Sequence, residues 1–354
     1  MAVDRVVCSL KIIHASQAAS GAYLASPNFP TYRYCWFRDG AFIAYAMDLY
    51  GEHESSRRFH TWAASMVNAR QTAVRRAVQA SLSGSAPDIK DILHTRYAVD
   101  GAESGKEWPN HQLDGLGTWV WALEGHRRLS GVELSSTHLH AAWLVADYLA
   151  TLWSGPCFDC WEEFSDQVHP HTLAAIYAGL QAEARLNRRD HTTVLQAIRD
   201  TLLTQGVYQG TFTKYLGSHA VDASLLGLSV PYGVVPPTDD RIRRTVARIE
   251  AELRMADGGV HRYQADTYYG GGEWLLLTAW LGWYYTELGE ILPAQRLLQW
   301  VESHADSSCN LPEQVPMHLN NPTYYPQWIA RWGEIANPLI WSHAMQLILR
   351  KHLE

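Results

Sequence analysis

Apolar residues recur at helical spacing in twelve stretches of this chain, near 4–19, 40–50, 54–82, 114–129, 137–153, 172–187, 191–204, 220–229, 239–255, 273–288, 293–304 and 338–352. Strand-like alternation is scarce, and Gly206–Phe212, read as a short hairpin, is its best instance. Clusters of Gly, Pro, Trp and charged residues precede every second stretch: Tyr32–Asp39, Trp108–Asp114, Asp159–Glu163, Tyr215–Asp222, Arg262–Trp274 and Asn310–Gln314. With the even helices as an inner ring and the odd ones as an outer ring, all six loops converge on one end of a barrel. The expected fold is therefore all-α, an (α/α)6 barrel spanning residues 1–354 as one domain. A solenoid would need a repeat of fixed period, and none is visible. The connections near 83–112 and 305–337 are too long for simple turns, and segments of that length commonly carry function.

Composition acts by exclusion. A net charge of −7 without a basic stripe argues against nucleic acid as a partner. No run of ~20 apolar residues exists to cross a membrane. Fifteen Trp and 18 Tyr against 7 Phe favour rings with an N–H or O–H handle, which suit sugar platforms and equally a Trp-rich core. The N-terminal MAVDRVVCSLKIIHASQAASG reads as an amphipathic helix rather than a secretion signal. The cysteines (Cys8, Cys35, Cys157, Cys160, Cys309) are odd in number and lack a disulfide-scaffold spacing, so a cytoplasmic location is expected. Cys157 and Cys160 form a lone C-x-x-C, read as ordinary thiols rather than a redox pair or half a zinc site. His169, His171 and His343 show no ligand spacing on one helix face, and neither metal nor cofactor is expected.

Two carboxylates stand out. Asp159-Cys160-Trp161-Glu162-Glu163 sets adjacent Glu residues beside an indole before a helix, and packing against that ring would keep a carboxyl protonated as a general acid. Glu313, in Leu311-Pro312-Glu313-Gln314-Val315, sits between apolar neighbours ahead of a long loop. Glycoside hydrolysis uses such a pair, one acid protonating the leaving oxygen and one base activating water. On the bland reading, Glu162 and Glu163 are a solvated helix approach, and Arg38-Asp39 and Asp114 are helix caps.

From about residue 15 onward the chain resembles the glucoamylase-like family of glycoside hydrolases, family fifteen, with its glucodextranases, isomaltose glucohydrolases and bacterial trehalases. Tyr32-Arg33-Tyr34-Cys35-Trp36-Phe37-Arg38-Asp39 is similar to its Y-x-Y-x-W-x-R-D signature. The likeness implies that Arg38 and Asp39 grip hydroxyls of the terminal glucose, with Tyr32 and Trp36 lining its pocket. Trp108, six residues before Asp114, would contact the leaving-group side. The acid loop would supply Glu162 as general acid, with Trp161 and Glu163 binding substrate. Arg262-Tyr263-Gln264-Ala265-Asp266-Thr267-Tyr268-Tyr269 resembles the R-Y-x-x-D-T-Y-Y signature. There Arg262 would hold a hydroxyl near the scissile bond, Asp266 would orient Arg262, and Tyr268 and Trp274 would shape the aglycone side. Leu311–Gln314 and the downstream Trp341-Ser342-His343-Ala344 resemble the base loop and last inner helix, making Glu313 the base and Trp341 a substrate contact.

The chain departs from the family in an aromatic-rich stretch after Gln314, with Tyr324, Tyr325, Trp328 and Trp332, which is expected to reshape the leaving-group site. Glu334 in that stretch rivals Glu313 as base. Neither the N-terminal β-sandwich domain of many bacterial relatives nor a starch-binding module is expected, so the expected substrate is a small soluble oligosaccharide. The implied activity is an inverting exo-α-glucosidase cutting α-1,6 or α-1,4 bonds and releasing β-D-glucose. A trehalase of the same fold, a phosphorylase and a non-catalytic sugar sensor are the alternatives.

Overall fold

The structure is a computed structural model that describes residues 4–104, 107–256 and 258–354. Met1–Val3, at the start of the N-terminal stretch, and residues 105–106 of the first long connection lie outside them. The α-helices are α1 (Arg5–Ala15), α2 (Phe37–Leu49), α3 (His53–Ala69), α4 (Gln71–Leu82), α5 (Asp114–Ser130), α6 (Ser136–Leu152), α7 (Pro170–Asn187), α8 (Thr192–Thr204), α9 (Asp240–Leu253), α10 (Leu275–Glu287), α11 (Ile291–Ser303), α12 (Tyr325–Trp332) and α13 (Ile340–His352).

Six elements close a ring. Helix α2 packs on α5, α5 on α7, α7 on a 3-10 helix (Ala223–Leu228), that helix on α10, α10 on α13, and α13 back on α2. Around it, α1 packs on α13, α3 on α2, α6 on α5 and α7, α8 on α7, α9 on the 3-10 helix, and α11 on α10 and α13. This is the (α/α)6 barrel. Side-chain pattern decides which ring a helix joins. In α10, LLLTAWLGWYYTE is apolar all round and Leu275 through Tyr285 are all buried, as an inner helix requires. In α9, by contrast, Ile242, Val246, Ile249 and Leu253 are buried on one stripe while four arginines take the other side.

Two of the expected helices differ, and one helix is added. The stretch 54–82 breaks at Arg70, whose side chain turns back to Glu103 and the Gly101 carbonyl and lies over the Tyr97 ring at 4.2 Å. The stretch 220–229 is only a six-residue 3-10 helix, packed so closely on α7 that a Cβ at Gly227 would lie 2.9 Å from the His171 ring, and Pro231 lies three residues past its end. Within 305–337, α12 is an additional helix, and eight residues are too few to show a period. The hairpin at Gly206–Phe212 is present, Val207–Tyr208 pairing antiparallel with Thr211–Phe212.

Two more two-residue ladders fix the loops at the inner-helix N-termini. Cys35–Trp36, just before α2, pairs with Arg96–Tyr97, and Glu273–Trp274, just before α10, pairs with Gln314–Val315. The second ladder draws the 305–337 connection over the mouth of the ring. No helix among the described residues is long and apolar enough to cross a membrane.

Helices α5 and α7 cross backbone against backbone. A Cβ on Gly117 would come within 2.3 Å of the Ala175 carbonyl oxygen, and one on Gly179 within 2.7 Å of the Gly117 Cα. Alanine is the better helix former by ~1 kcal/mol, yet backbone blocks it here. Gly117→Ala is therefore expected to lower stability by about 1–3 kcal/mol, read from urea unfolding; an unchanged or raised midpoint would show that the helices part freely.

Candidate active site

At the end of the ring where the inner helices begin lies a cavity of about 400 Å3. Every site residue expected from the sequence lines it except Asp266. Arg38 and Asp39 come from the first turn of α2, Trp341 from that of α13, Trp274 from the residue before α10, and Glu162 and Glu163 from the loop ahead of α7. Glu334, the rival base, is not among the lining residues.

Glu313 is 3% exposed, held by Glu273–Trp274 pairing with the strand that follows it and by its own N–H donating to the Ala336 carbonyl. Burial pushes its pKa up to about 8, against the Arg262 charge and the Tyr32 and Tyr268 hydroxyls, which pull it down. Its Oε2 has no hydrogen-bond partner among the described residues. The Tyr32 and Tyr268 hydroxyls hydrogen-bond each other at 2.6 Å.

Glu162 sits at φ 70°, in the left-handed region, and accepts from the Trp36 indole N–H at 2.7 Å. The indole expected beside it, Trp161, is engaged elsewhere, its N–H donating to Asp222 at 3.0 Å. The acid loop thus turns its adjacent side chains to different walls. Glu163 meets the Tyr263 hydroxyl at 2.5 Å and Arg262 at 3.3 Å, and burial raises its pKa while Arg262 opposes the rise.

Charged groups here are bound to each other as well as facing the cavity. Behind Arg262, Asp266 accepts from both Nε and a terminal nitrogen, which fixes the guanidinium plane. Arg38 donates to Gln112 at 2.9 Å and to Asp114 at 3.0 Å, with its carbon 5.6 Å from the Trp341 ring centre. Asp114, read as a possible cap, makes no capping bond and is instead the counterion of Arg38. Asp39 is pushed up to about 6, burial outweighing Arg38.

Other residues lie in or behind the cavity wall. Arg96 lies under the aromatic wall, 3.3 Å from the Trp108 ring centre and 5.1 Å from that of Trp36, and burial lowers its pKa to about 10. Lys214 is buried between Asp159 and Asp222. Trp328, Arg331 and Trp332 of α12 close the mouth, with Trp332 stacked on Trp108 at 6.2 Å. Trp328 and Trp332 belong to the aromatic stretch that the sequence singled out, whereas nothing in it pointed to Arg96, Lys214 or Arg331.

The remaining singled-out groups do other work. His343 bridges Ser9 and the Leu311 N–H, His171 bonds the Ser224 carbonyl, and His169 bonds those of Cys157 and Phe164. All five cysteines are unbridged, though the Cys8 and Cys309 Sγ atoms lie 2.8 Å apart, and burial raises Cys157 to about 12. Among the described residues, Asp48, His53 and His126 bring ligand-type atoms together at the far end of α2, where both imidazole Nδ1 atoms already bond the carboxylate.

The sequence profile of glycosyl hydrolases family 15 matches residues 1–303. Isomaltose glucohydrolase from Kribbella flavida is 41% identical over 97% of this chain and 90% of its own length. Trehalase 2 from Sulfolobus acidocaldarius is 27% identical over 79% of this chain, which spans 53% of that protein. The solved structure of a glycosidase variant in complex with glucose superposes with a TM-score of 0.94 at 40% identity, covering 99% of this chain and 96% of the other.

The Arg38–Asp114 pair gives a direct test. Arg38→Met leaves Asp114 as a buried charge without its cation and is expected to cost about 3–5 kcal/mol in urea unfolding; an unmoved midpoint would mean that the pair adds nothing to the closed ring.

Proposed function

The chain belongs to family 15 of the glycosyl hydrolases, and from that premise we propose that this glycoside hydrolase is an inverting exo-α-glucosidase that releases β-D-glucose from the non-reducing end of a small α-glucoside. The preferred linkage is the α-1,6 bond of isomaltose, ahead of the α-1,4 bond of maltose. The single observation that carries this reading is that Glu162 and Glu313, from loops far apart in sequence, line one cavity together with Arg38, Asp39 and Arg262.

In this reading Glu162 gives its proton to the glycosidic oxygen as the C1–O bond breaks. Glu313, ionised, takes a proton from a water that attacks C1 from the opposite face, so the anomeric configuration flips. Trp36 holds Glu162 through its indole N–H. Arg262, its plane fixed by Asp266, and the Arg38–Asp39 pair give charge-assisted bonds to sugar hydroxyls. Residues 1–354 serve as the catalytic unit, working in the cytoplasm.

A trehalase reading is favoured by the similarity to Trehalase 2. Rates on isomaltose, maltose, dextran and trehalose separate the two, and turnover of trehalose alone would overturn the α-1,6 reading. Proton NMR of the first-formed sugar is expected to show β-glucose, and an α-anomer would refute inversion. Glu162→Gln and Glu313→Gln are each expected to lower kcat about 10²–10⁴-fold; a variant retaining wild-type kcat would lose its assigned role.

The environment of Glu313 predicts the pH profile. A base must be ionised, so activity is lost as pH falls through its pKa, and burial has raised that pKa to about 8. The lower limb of kcat/KM is therefore expected well above the ordinary carboxylate range, nearer neutral pH. A limb at about 4.5 would mean that a different, solvated carboxylate is the base.

A further inference from the structure

The acid loop stands on a buried ammonium group. Lys214, from the segment after the Thr211–Phe212 strand, has a side chain only 4% exposed, and its Nζ donates to Asp222 at 2.6 Å and to Asp159 at 3.1 Å. Below it the ammonium lies 3.8 Å from the Tyr263 ring centre. Lysine is rarely buried unless paired, and here it is the shared cation of two carboxylates that are themselves almost fully buried.

Both carboxylates also bond the acid loop. Asp159 Oδ1 accepts the backbone N–H of Trp161 at 3.0 Å and that of Glu163 at 2.8 Å, the residues on either side of Glu162. Asp222 accepts the Trp161 indole N–H on both oxygens, Oδ1 at 3.1 Å and the Lys214-bound Oδ2 at 3.0 Å, and the Ser224 N–H on Oδ1 at 2.8 Å. Between these clamps Glu162 adopts φ 70° and the next residue but one, Phe164, adopts φ 52°. A left-handed conformation is unfavourable for residues with a side chain and persists only where the surroundings hold it in place.

We propose that Lys214 is a positioning residue of the reaction: by holding Asp159 and Asp222, it sets the acid loop in the conformation that aims the Glu162 carboxyl at the glycosidic oxygen. This rests on the assignment of Glu162 as the general acid. Without the ammonium, Asp159 and Asp222 face each other as uncompensated buried anions and must protonate, separate or admit water. Any of these loosens the bonds that flank Glu162. Lys214 does not line the cavity and so acts on substrate only through the loop.

The test compares two substrates that differ in their need for an acid. A sugar leaving group must be protonated as it departs, whereas α-D-glucosyl fluoride loses a fluoride ion that is stable without a proton. The variants are Lys214→Met and, because that change alone can unfold the chain, Lys214→Met combined with Asp222→Asn, in which only Asp159 keeps a buried charge. Glu162→Gln runs beside them, and kcat and KM are measured on glucosyl fluoride and on whichever α-linked disaccharide the wild type splits fastest. The expected result is a fall in kcat on the disaccharide of about 10²-fold, the cost of a misplaced catalytic group, with a much smaller fall on the fluoride and little change in KM for either. An equal loss on both substrates, or wild-type kcat on both with only a lowered Tm, overturns the proposal while leaving Glu162 as the acid if Glu162→Gln still shows the selective loss. A wild type inert on every disaccharide overturns both, since a loop without an acid has nothing for Lys214 to position.

Discussion

Inner helices buried on every side leave a ring of this kind nowhere to place chemistry except at its ends. From Phe37 to Asp48 α2 is buried without a break, and α10 is buried from Leu275 to Tyr285. Polar groups inside such walls must be paired with one another, and open polar surface gathers where the loops enter. The short ladders at Cys35–Trp36 and Glu273–Trp274 then fix those loops to connections distant in sequence, so that Trp36 and Glu313 sit at set depths in the mouth. The cavity is a consequence of the closed ring plus these pinned entries.

Within the mouth, charge is handled by pairing before it is offered to a ligand. Arg38 with Asp114, Arg262 with Asp266, and Lys214 with Asp159 and Asp222 each place an ion against its counterion at the wall. Breaking such a pair leaves a buried charge uncompensated, which gives the wall a stiffness that loop backbone alone lacks. Glu313 makes no such ion pair among the described residues, and burial raises its pKa. The aromatic rings add shape and further hold the cations: Arg96 lies against Trp108, and Arg262 lies within 5.5 Å of the ring centres of Trp161, Tyr263, Tyr268 and Trp274.

Much of this was legible in the chain itself. Period and punctuation gave the helices and their inner or outer place, because an inner helix is apolar on more than one face and its entry loop is dense in Gly, Trp and charge. Residues such as Arg262 and Asp266 were legible too, four apart in one motif and joined in one bidentate pair. What misled was local adjacency. Trp161 is next to Glu162 in sequence, yet the left-handed turn at Glu162 sends the indole to Asp222, and the ring that meets the acid is Trp36, from another loop. Asp114 looked like a cap because it opens a helix, and only the approach of α2 to α5 makes it the counterion of Arg38.

The sequence by itself determined the all-α class, the alternation of rings and the set of loops that meet at one end, since hydrophobic period and turn chemistry act over a few residues at a time. Tertiary structure alone decided which partner each charge found, how far Glu313 is buried, that Arg96 and Lys214 belong to the site, and that α12 covers its mouth. Those outcomes depend on desolvation and on distances between segments brought together by ring closure, and no local spacing along the chain encodes them.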